Sequence, residues 1–282
     1  MGSIDIDHLR QWIGRRETHT DLVTASPAAA LAATLDRDDA SSVLPPLYHW
    51  LYFLPVVPLS GVGPDGHPAR GGFLPPVPLP RRMWAGSRLA FHRPLHIGYS
   101  VKRSSEITDV QLKQGKGGAL VFVKVKHAVS AHAGLAAITE EQDIVYRADP
   151  KPEDPLPPPK PAPSEAAWRR EVRPDPVLLF RYSALTFNGH RIHYDRPYAT
   201  GVEGYPGLVV HGPLVATLLV DLVRRHRPDA ALTGFQFRAL RSLFDGAPFE
   251  LCGEPSADGR SVSLWARDGD GALCVEASAT LA

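Results

Sequence analysis

The chain has 282 residues and 44% hydrophobic content, enough length for two ordinary domains and enough apolar side chains for a sizeable core. Lys and Arg total 31 against 30 Asp and Glu, so a formal net charge of +1 argues against a nucleic-acid or anionic-membrane surface built on bulk charge. Two cysteines, Cys252 and Cys274, are too few for a disulfide framework or a zinc finger and are expected as reduced thiols on neighbouring strands. No apolar stretch reaches the length of a membrane span, because the longest candidate, 205–223, is broken by His211, Pro213 and Asp221. The opening residues carry no apolar run behind a basic patch, so no secretory signal is expected and the expectation is a soluble, cytoplasmic protein.

Residues 7–36 have helical character, with Asp7 as a candidate cap, Leu9, Trp12 and Ile13 on one face, and an alanine-rich run from Ala28 to Leu35. Over 45–80 the prolines are too dense for long regular elements, and the aromatic residues between them are expected to line a packed surface. Strands are expected over 87–94, 100–110, 119–127 and 143–147. In the third, Val121, Val123 and Val125 alternate with Phe122, Lys124 and Lys126. The glycines of 114–118 read as a turn, not a phosphate loop, because the strand–loop–helix spacing and the closing Lys-Ser/Thr are absent. Eight prolines in 150–163 mark a stiff spacer. It divides an N-terminal domain, 1–149, from a C-terminal domain, 164–282. In the latter, 168–172 is expected as a strand and 176–185 as a short helical turn. Strands follow over 234–241, 249–252, 261–267 and 273–281.

The stretch 183–214 is where chemistry concentrates. His190 and His193 stand three apart, with Asp195 two further on. Leu208-Val209-Val210 then leads into His211-Gly212-Pro213-Leu214 and a helical pattern whose only polar breaks before Arg224 are Thr217 and Asp221. A helix so apolar all round must be wrapped by other elements. Pro213 suits its first turn, and the helix start offers free N–H groups and a positive dipole end to a partly negative oxygen.

These residues resemble the hydratase signature of the MaoC-like hot-dog family. The segment 186–195 matches its His and Asp at His193 and Asp195, and His211-Gly212 matches the start of its helix. The run F-N-G-H-R-I-H-Y-D, the downstream Y-P-G-L-V-V-H-G-P-L and the earlier G-F-L-P-P-V-P-L-P-R-R-M-W-A-G (72–86) are similar to the subfamily of 3-methylfumaryl-CoA (mesaconyl-C4-CoA) and itaconyl-CoA hydratases, to which mitochondrial 3-hydroxyacyl-thioester dehydratases are related. The resemblance implies an α+β fold, a double hot-dog in which antiparallel sheets wrap central helices, with catalysis in the C-terminal half and the N-terminal half shaping the acyl and CoA pocket. It implies hydration of a branched dicarboxylyl-CoA to citramalyl-CoA, with coenzyme A present only as part of the substrate. No other cofactor and no metal are implied, and a homodimer is the assembly left open.

Such a reaction needs a base for water, an acid for the α-carbon and a donor for the thioester oxygen. His193 is the expected base, against a merely structural loop histidine. Gly212 is the expected oxyanion donor through its N–H, against a glycine kept for packing clearance. Asn188 stands where the family carries an Asp, and an amide can hold water but cannot take its proton. Either His193 performs the proton transfers while Asn188 positions the water, or a group such as His190 or Asp195 assists. Arg191 is a candidate for the substrate carboxylate, against a surface ion pair. Tyr194 and His211 are further candidates for contact with substrate, and Arg82 and Trp84, beside Arg81, for the coenzyme A phosphates or adenine. A metal on His190, His193 and Asp195 is disfavoured because no fourth ligand stands out. Dehydration of straight-chain 3-hydroxyacyl thioesters and a non-catalytic acyl-thioester-binding module are the alternatives, with a thioesterase as a weaker one.

Overall fold

The structure, a computed structural model, describes residues 4–38, 42–115, 118–131, 134–149 and 158–282. The turn at 114–118 and the proline-rich spacer therefore lie partly outside the described residues. Ten strands form one antiparallel sheet. In chain order they are β1 (Arg16–Leu22), β2 (Arg81–Phe91), β3 (Ser100–Gly115), β4 (Gly118–Ser130), β5 (Ala136–Arg147), β6 (Trp168–Val172), β7 (Leu232–Ala239), β8 (Phe249–Pro255), β9 (Ser261–Arg267) and β10 (Leu273–Leu281). The helices are α1 (Ile6–Arg10), α2 (Ala25–Thr34), α3 (Pro176–Leu185), α4 (Arg196–Gly201) and α5 (Gly212–His226).

The spatial order β1-β3-β4-β5-β2-β7-β10-β9-β8-β6 is the same five-strand pattern read outward twice from a central pair. Each half is a hot-dog sheet, and β2 pairs with β7 from Gly86↔Arg238 to Ala90↔Gly234 to make the sheet continuous. Gly86 is required at this junction, since a Cβ there would lie 2.3 Å from the Phe237 carbonyl oxygen. The pairing of β2 with β5 also slips between Trp84 and Gly86. This is the double hot-dog expected from the resemblance, with its two sheets fused edge to edge.

The halves differ in their helices. α5 lies against β6, β8, β9 and β10, and every residue from Leu214 to Val223 is buried. The two polar breaks are inside as well. Asp221, 1% exposed, accepts from Arg37 (3.0 Å), Arg170 (2.6 Å) and Arg225 (2.7 Å). In the N-terminal half α2 is only ten residues long and packs against α3 and the turn Tyr48–Leu51. The aromatic-rich, proline-dense 45–80 segment holds only short 3-10 turns, as its composition requires.

Three local expectations fail. The helical reading of 7–36 is interrupted by β1, a largely exposed strand at the sheet margin whose sequence, RETHTDL, has no apolar alternation to betray it. Asp5, not Asp7, caps α1, accepting from the His8 N–H at 3.0 Å. Cys252 and Cys274 are free and buried, but they occupy β8 and β10 with β9 between them, so they are not on neighbouring strands.

Candidate active site

The signature is held in a web of backbone bonds that fixes His193. Asp175 caps α3, accepting from the Leu178 N–H, and the chain leaves that helix through Phe187 in a left-handed conformation (φ 49°). Residues Arg191–His193 form a 3-10 turn, against which the Leu208–Val210 strip is laid: Val209 N–H donates to the Ile192 carbonyl at 2.9 Å, and Val210 N–H to Leu243 at 2.8 Å. The Val209 carbonyl faces back and takes a 2.7 Å hydrogen bond from His193 Nδ1. A carbonyl only accepts, so Nδ1 carries the proton and Nε2 keeps its lone pair. Burial pushes the His193 imidazole down to about 3, despite the Val209 bond, and so keeps it neutral.

The His193 ring stacks on His211, with centroids 3.7 Å apart and an interplanar angle of 18°. His211 immediately precedes α5, and its Nε2 meets Ser183 Oγ at 2.8 Å. It is 1% exposed, so burial, with the neighbouring His193, drives its imidazole well below the ordinary value. His193 and Gly212 are thus on one side of the molecule, at the start of the buried helix. Gly212 begins α5, where its N–H has no intrahelical acceptor. A Cβ at Gly212 would meet nothing closer than the Trp84 carbonyl at 4.0 Å, so packing clearance does not account for this glycine.

Beside these groups opens a cavity of about 930 Å3, walled by Ser183, Asn188, Gly189, Tyr194 and Pro213 from the C-terminal half and by His67, Arg82 and Trp84 from the N-terminal half. Asn188 Oδ1 accepts the His190 N–H at 3.0 Å, which fixes the orientation of the amide and leaves its NH2 as a donor. The Tyr194 hydroxyl donates to the Gly189 carbonyl at 2.9 Å. Trp84 Nε1 bonds Ser87 Oγ at 2.9 Å, and its ring meets Trp50 edge-on at 4.9 Å.

Two expected site residues are committed elsewhere. Arg191 reaches Asp195 Oδ2 through both Nε (2.9 Å) and Nη2 (2.8 Å), donates to the Pro64 carbonyl and lies 4.1 Å over the Tyr198 ring. It braces the signature through these contacts. Asp195 also caps α4 by accepting the Tyr198 N–H at 3.1 Å. Arg81 is likewise engaged, by Asp149 and Glu203.

A pair absent from the sequence reading stands against the signature. The loop Gly63–Pro68 delivers Asp65 and His67 to His190, whose ring centroid is 4.0 Å from that of His67 and 5.4 Å from that of His193. His67 Nδ1 bonds Asp65 Oδ2 at 3.1 Å. Burial raises the Asp65 carboxyl, but the side-chain and backbone bonds from His67 outweigh it and hold the group well below the usual carboxylate range. Asp65, His67 and His190 are also the one set of cation-donor atoms clustered within 4.8 Å among the described residues. The turn chemistry of G-P-D-G-H between glycines was the signal available in the sequence.

A family model described as hydroxyacyl-thioester dehydratase type 2 matches residues 47–245. The chain belongs to the hydroxyacyl-thioester dehydratase type 2 family. It is 51% identical over 277 residues to the mesaconyl-C(4)-CoA hydratase of Chloroflexus aurantiacus, covering 96% of both chains. It is 30% identical over 269 residues to the mitochondrial hydroxyacyl-thioester dehydratase type 2 of Schizosaccharomyces pombe, covering 82% of this chain and 88% of that one. A solved MaoC-like dehydratase from Phytophthora capsici superposes with a TM-score of 0.72 at 14% identity, covering 99% of this chain and 98% of that one, which shows the shared fold. The matched region takes in parts of both halves and not the signature alone.

Proposed function

We propose that the chain is a hydro-lyase that reversibly adds water to a branched C5-dicarboxylyl-CoA, mesaconyl-C4-CoA foremost and itaconyl-CoA next, giving citramalyl-CoA. The observation that carries this reading is the 51% identity to a mesaconyl-C(4)-CoA hydratase over nearly the whole of both chains. The hydroxyacyl-thioester dehydratase type 2 of Schizosaccharomyces pombe is the more distant relative, at 30%.

In this reading the thioester oxygen lies at the Gly212 N–H, where the dipole of α5 favours the charge that develops as the enolate forms. Water sits between the Asn188 amide and His193 Nε2. The amide donates to the water oxygen and the imidazole takes its proton as the hydroxyl joins the β-carbon. The π electrons move onto the thioester, and the α-carbon then receives a proton. His211 holds the His193 ring in plane, and Tyr194 and Trp84 wall the acyl group. Arg82, on the cavity wall near His67 and His190, replaces Arg191 as the group for the free carboxylate. Residues 164–282 then supply the chemistry and 1–149 the pocket. Coenzyme A enters as part of the substrate, no further cofactor takes part, and a homodimer is the proposed assembly.

A mass-spectrometric screen of enoyl-CoA thioesters for the gain of one water tests the reading. Mesaconyl-C4-CoA is expected to be hydrated in preference to crotonyl-CoA. Equal rates would favour the straight-chain dehydratase, binding without turnover a non-catalytic module, and free thiol release a thioesterase.

A further inference from the structure

His193 can take a proton from water, but of the groups acting on its ring only the Val209 carbonyl favours the imidazolium that results. Its only hydrogen bond from Nδ1 is to a neutral carbonyl, the ring is 7% exposed, and His190 and His67 add repulsion once charged. Asn188, where the wider family has an acid, cannot accept the proton either. A second acid is available from another element, and the N-terminal half contributes it.

The loop that carries it is built to fixed geometry. Gly63 N–H donates to the His67 carbonyl (2.7 Å), Gly66 N–H to the Gly63 carbonyl (2.9 Å), and Val62 bridges to Pro68. The loop is pinned to the signature by Arg191 N–H on the Asp65 carbonyl (2.9 Å) and by a backbone contact between Gly66 and Gly189. It presents one imidazole, His67, on the cavity wall with a carboxylate on its Nδ1 and its Nε2 free of that bond. A carboxylate on Nδ1 orients a histidine and stabilises its protonated form.

Resting on the hydro-lyase reading, we infer that His67, oriented by Asp65, protonates the α-carbon of the enolate that His193 generates with water. In the forward direction the water O–H bond breaks toward His193 Nε2 while the C–O bond forms at the β-carbon. The enolate held at Gly212 takes a proton from His67 Nε2 to form the new C–H bond. His193 then releases its proton to solvent and His67 takes one back, which restores both rings and leaves the sum of one water added. The groups facing His67 are Asp65 and Arg70 on its own loop and its C-terminal flank, Arg82 on β2, and His190 in the signature. Of these only Asp65 favours the protonated ring, while burial, the largest influence, draws the imidazole below its ordinary value.

The test compares wild type, His67→Gln and Asp65→Asn in hydration of mesaconyl-C4-CoA, with rates followed from pH 5 to 9. Hydration requires protonated His67, so the wild-type rate falls on the alkaline side of its titration. His67→Gln is expected to lower kcat by about 100-fold with KM little changed, and to remove that alkaline limb. Asp65→Asn keeps the imidazole but weakens its hold on the proton, so its limb moves to lower pH. Should His67→Gln fail to fold, the displaced limb of Asp65→Asn decides the matter. A kcat within about threefold of wild type in His67→Gln, an unmoved limb in Asp65→Asn, or loss of activity in EDTA restored by a divalent cation would each overturn the inference while the hydro-lyase reading stands. Absence of hydration by the wild type would instead sink that reading, and the inference with it.

Discussion

Gly66 and Gly189 meet backbone to backbone: a Cβ on Gly66 would lie 1.8 Å from the Gly189 carbonyl oxygen, and a Cβ on Gly189 would lie 2.8 Å from the Gly66 carbonyl oxygen. One glycine belongs to the N-terminal half and the other to the signature, so the join between the halves at the cavity passes through a contact with no room for a methyl group. Gly66 also has φ +88°, where an L side chain is strained. Gly66→Ala is therefore expected to push the Asp65–His67 loop off the signature. A displacement on the order of 1 Å corresponds to a loss of roughly 100-fold in kcat/KM. Steady-state kinetics with a circular-dichroism control check this, and unchanged kcat/KM would show that the contact does not position the site.

Asp221 is the second tie across the structure. A carboxylate 1% exposed inside an otherwise apolar helix is compensated by Arg37, Arg170 and Arg225, which come from beyond α2, from β6 and from α5 itself. Removing the charge leaves the guanidinium groups without their acceptor. Asp221→Ala is expected to lower stability by about 3 kcal/mol, with the residual activity of the folded fraction intact. Urea denaturation of the variant beside wild type measures it.

The histidine cluster sets how the protein responds to acid. Burial holds His193 and His190 at about 3, against 6.5 for the free ring, so the folded state keeps them neutral while the unfolded chain takes up protons. Their contribution to stability is present above about pH 6.5 and is lost as pH falls from there toward 3, because the unfolded state binds more protons in that window. The slope contributed is about 1.4 kcal/mol per pH unit for each group fully in its window. Chemical denaturation between pH 7 and pH 4 is expected to show this loss, and His190→Asn to reduce the slope by close to one proton.

Substrate selection separates Arg82 from Arg191. Arg82 faces the cavity, whereas Arg191 is bound by Asp195 and Tyr198. A hydrogen-bonded contact to a charged group is worth about 1.5–3 kcal/mol, so Arg82→Met is expected to raise KM for mesaconyl-C4-CoA by roughly 10- to 100-fold relative to crotonyl-CoA. Competition between the two substrates in one reaction reads this ratio directly. An unchanged ratio would place the carboxylate elsewhere.

Much of the C-terminal half was legible because its residues obey a single period. β6, β9 and β10 fall on the expected residues, and α5 starts at the Gly212-Pro213 pair that marks a helix entry. In β4, Val121, Val123 and Val125 are buried as their alternation requires. What escaped has physical causes. β1 lies at the sheet margin and buries little, so no apolar alternation reveals it. Arg191 and Asp195 are four apart and pair with each other, a contact the sequence reading did not single out. Asp65 and His67 lie more than a hundred residues from the signature. The close approach of Gly66 and Gly189 and the bonds from Arg191 to the Asp65 and Pro64 carbonyls bring them there, and no local pattern encodes contacts of that range.

The central claim is that His193 Nε2 activates water beside a thioester held at Gly212. Its most direct test is the rate of citramalyl-CoA formation from mesaconyl-C4-CoA by the purified wild type and by His193→Gln, each at saturating substrate. The account predicts turnover by the wild type and a fall in kcat of at least about 100-fold in the variant, with KM little altered. A folded His193→Gln protein that still hydrates mesaconyl-C4-CoA at the wild-type rate would contradict it.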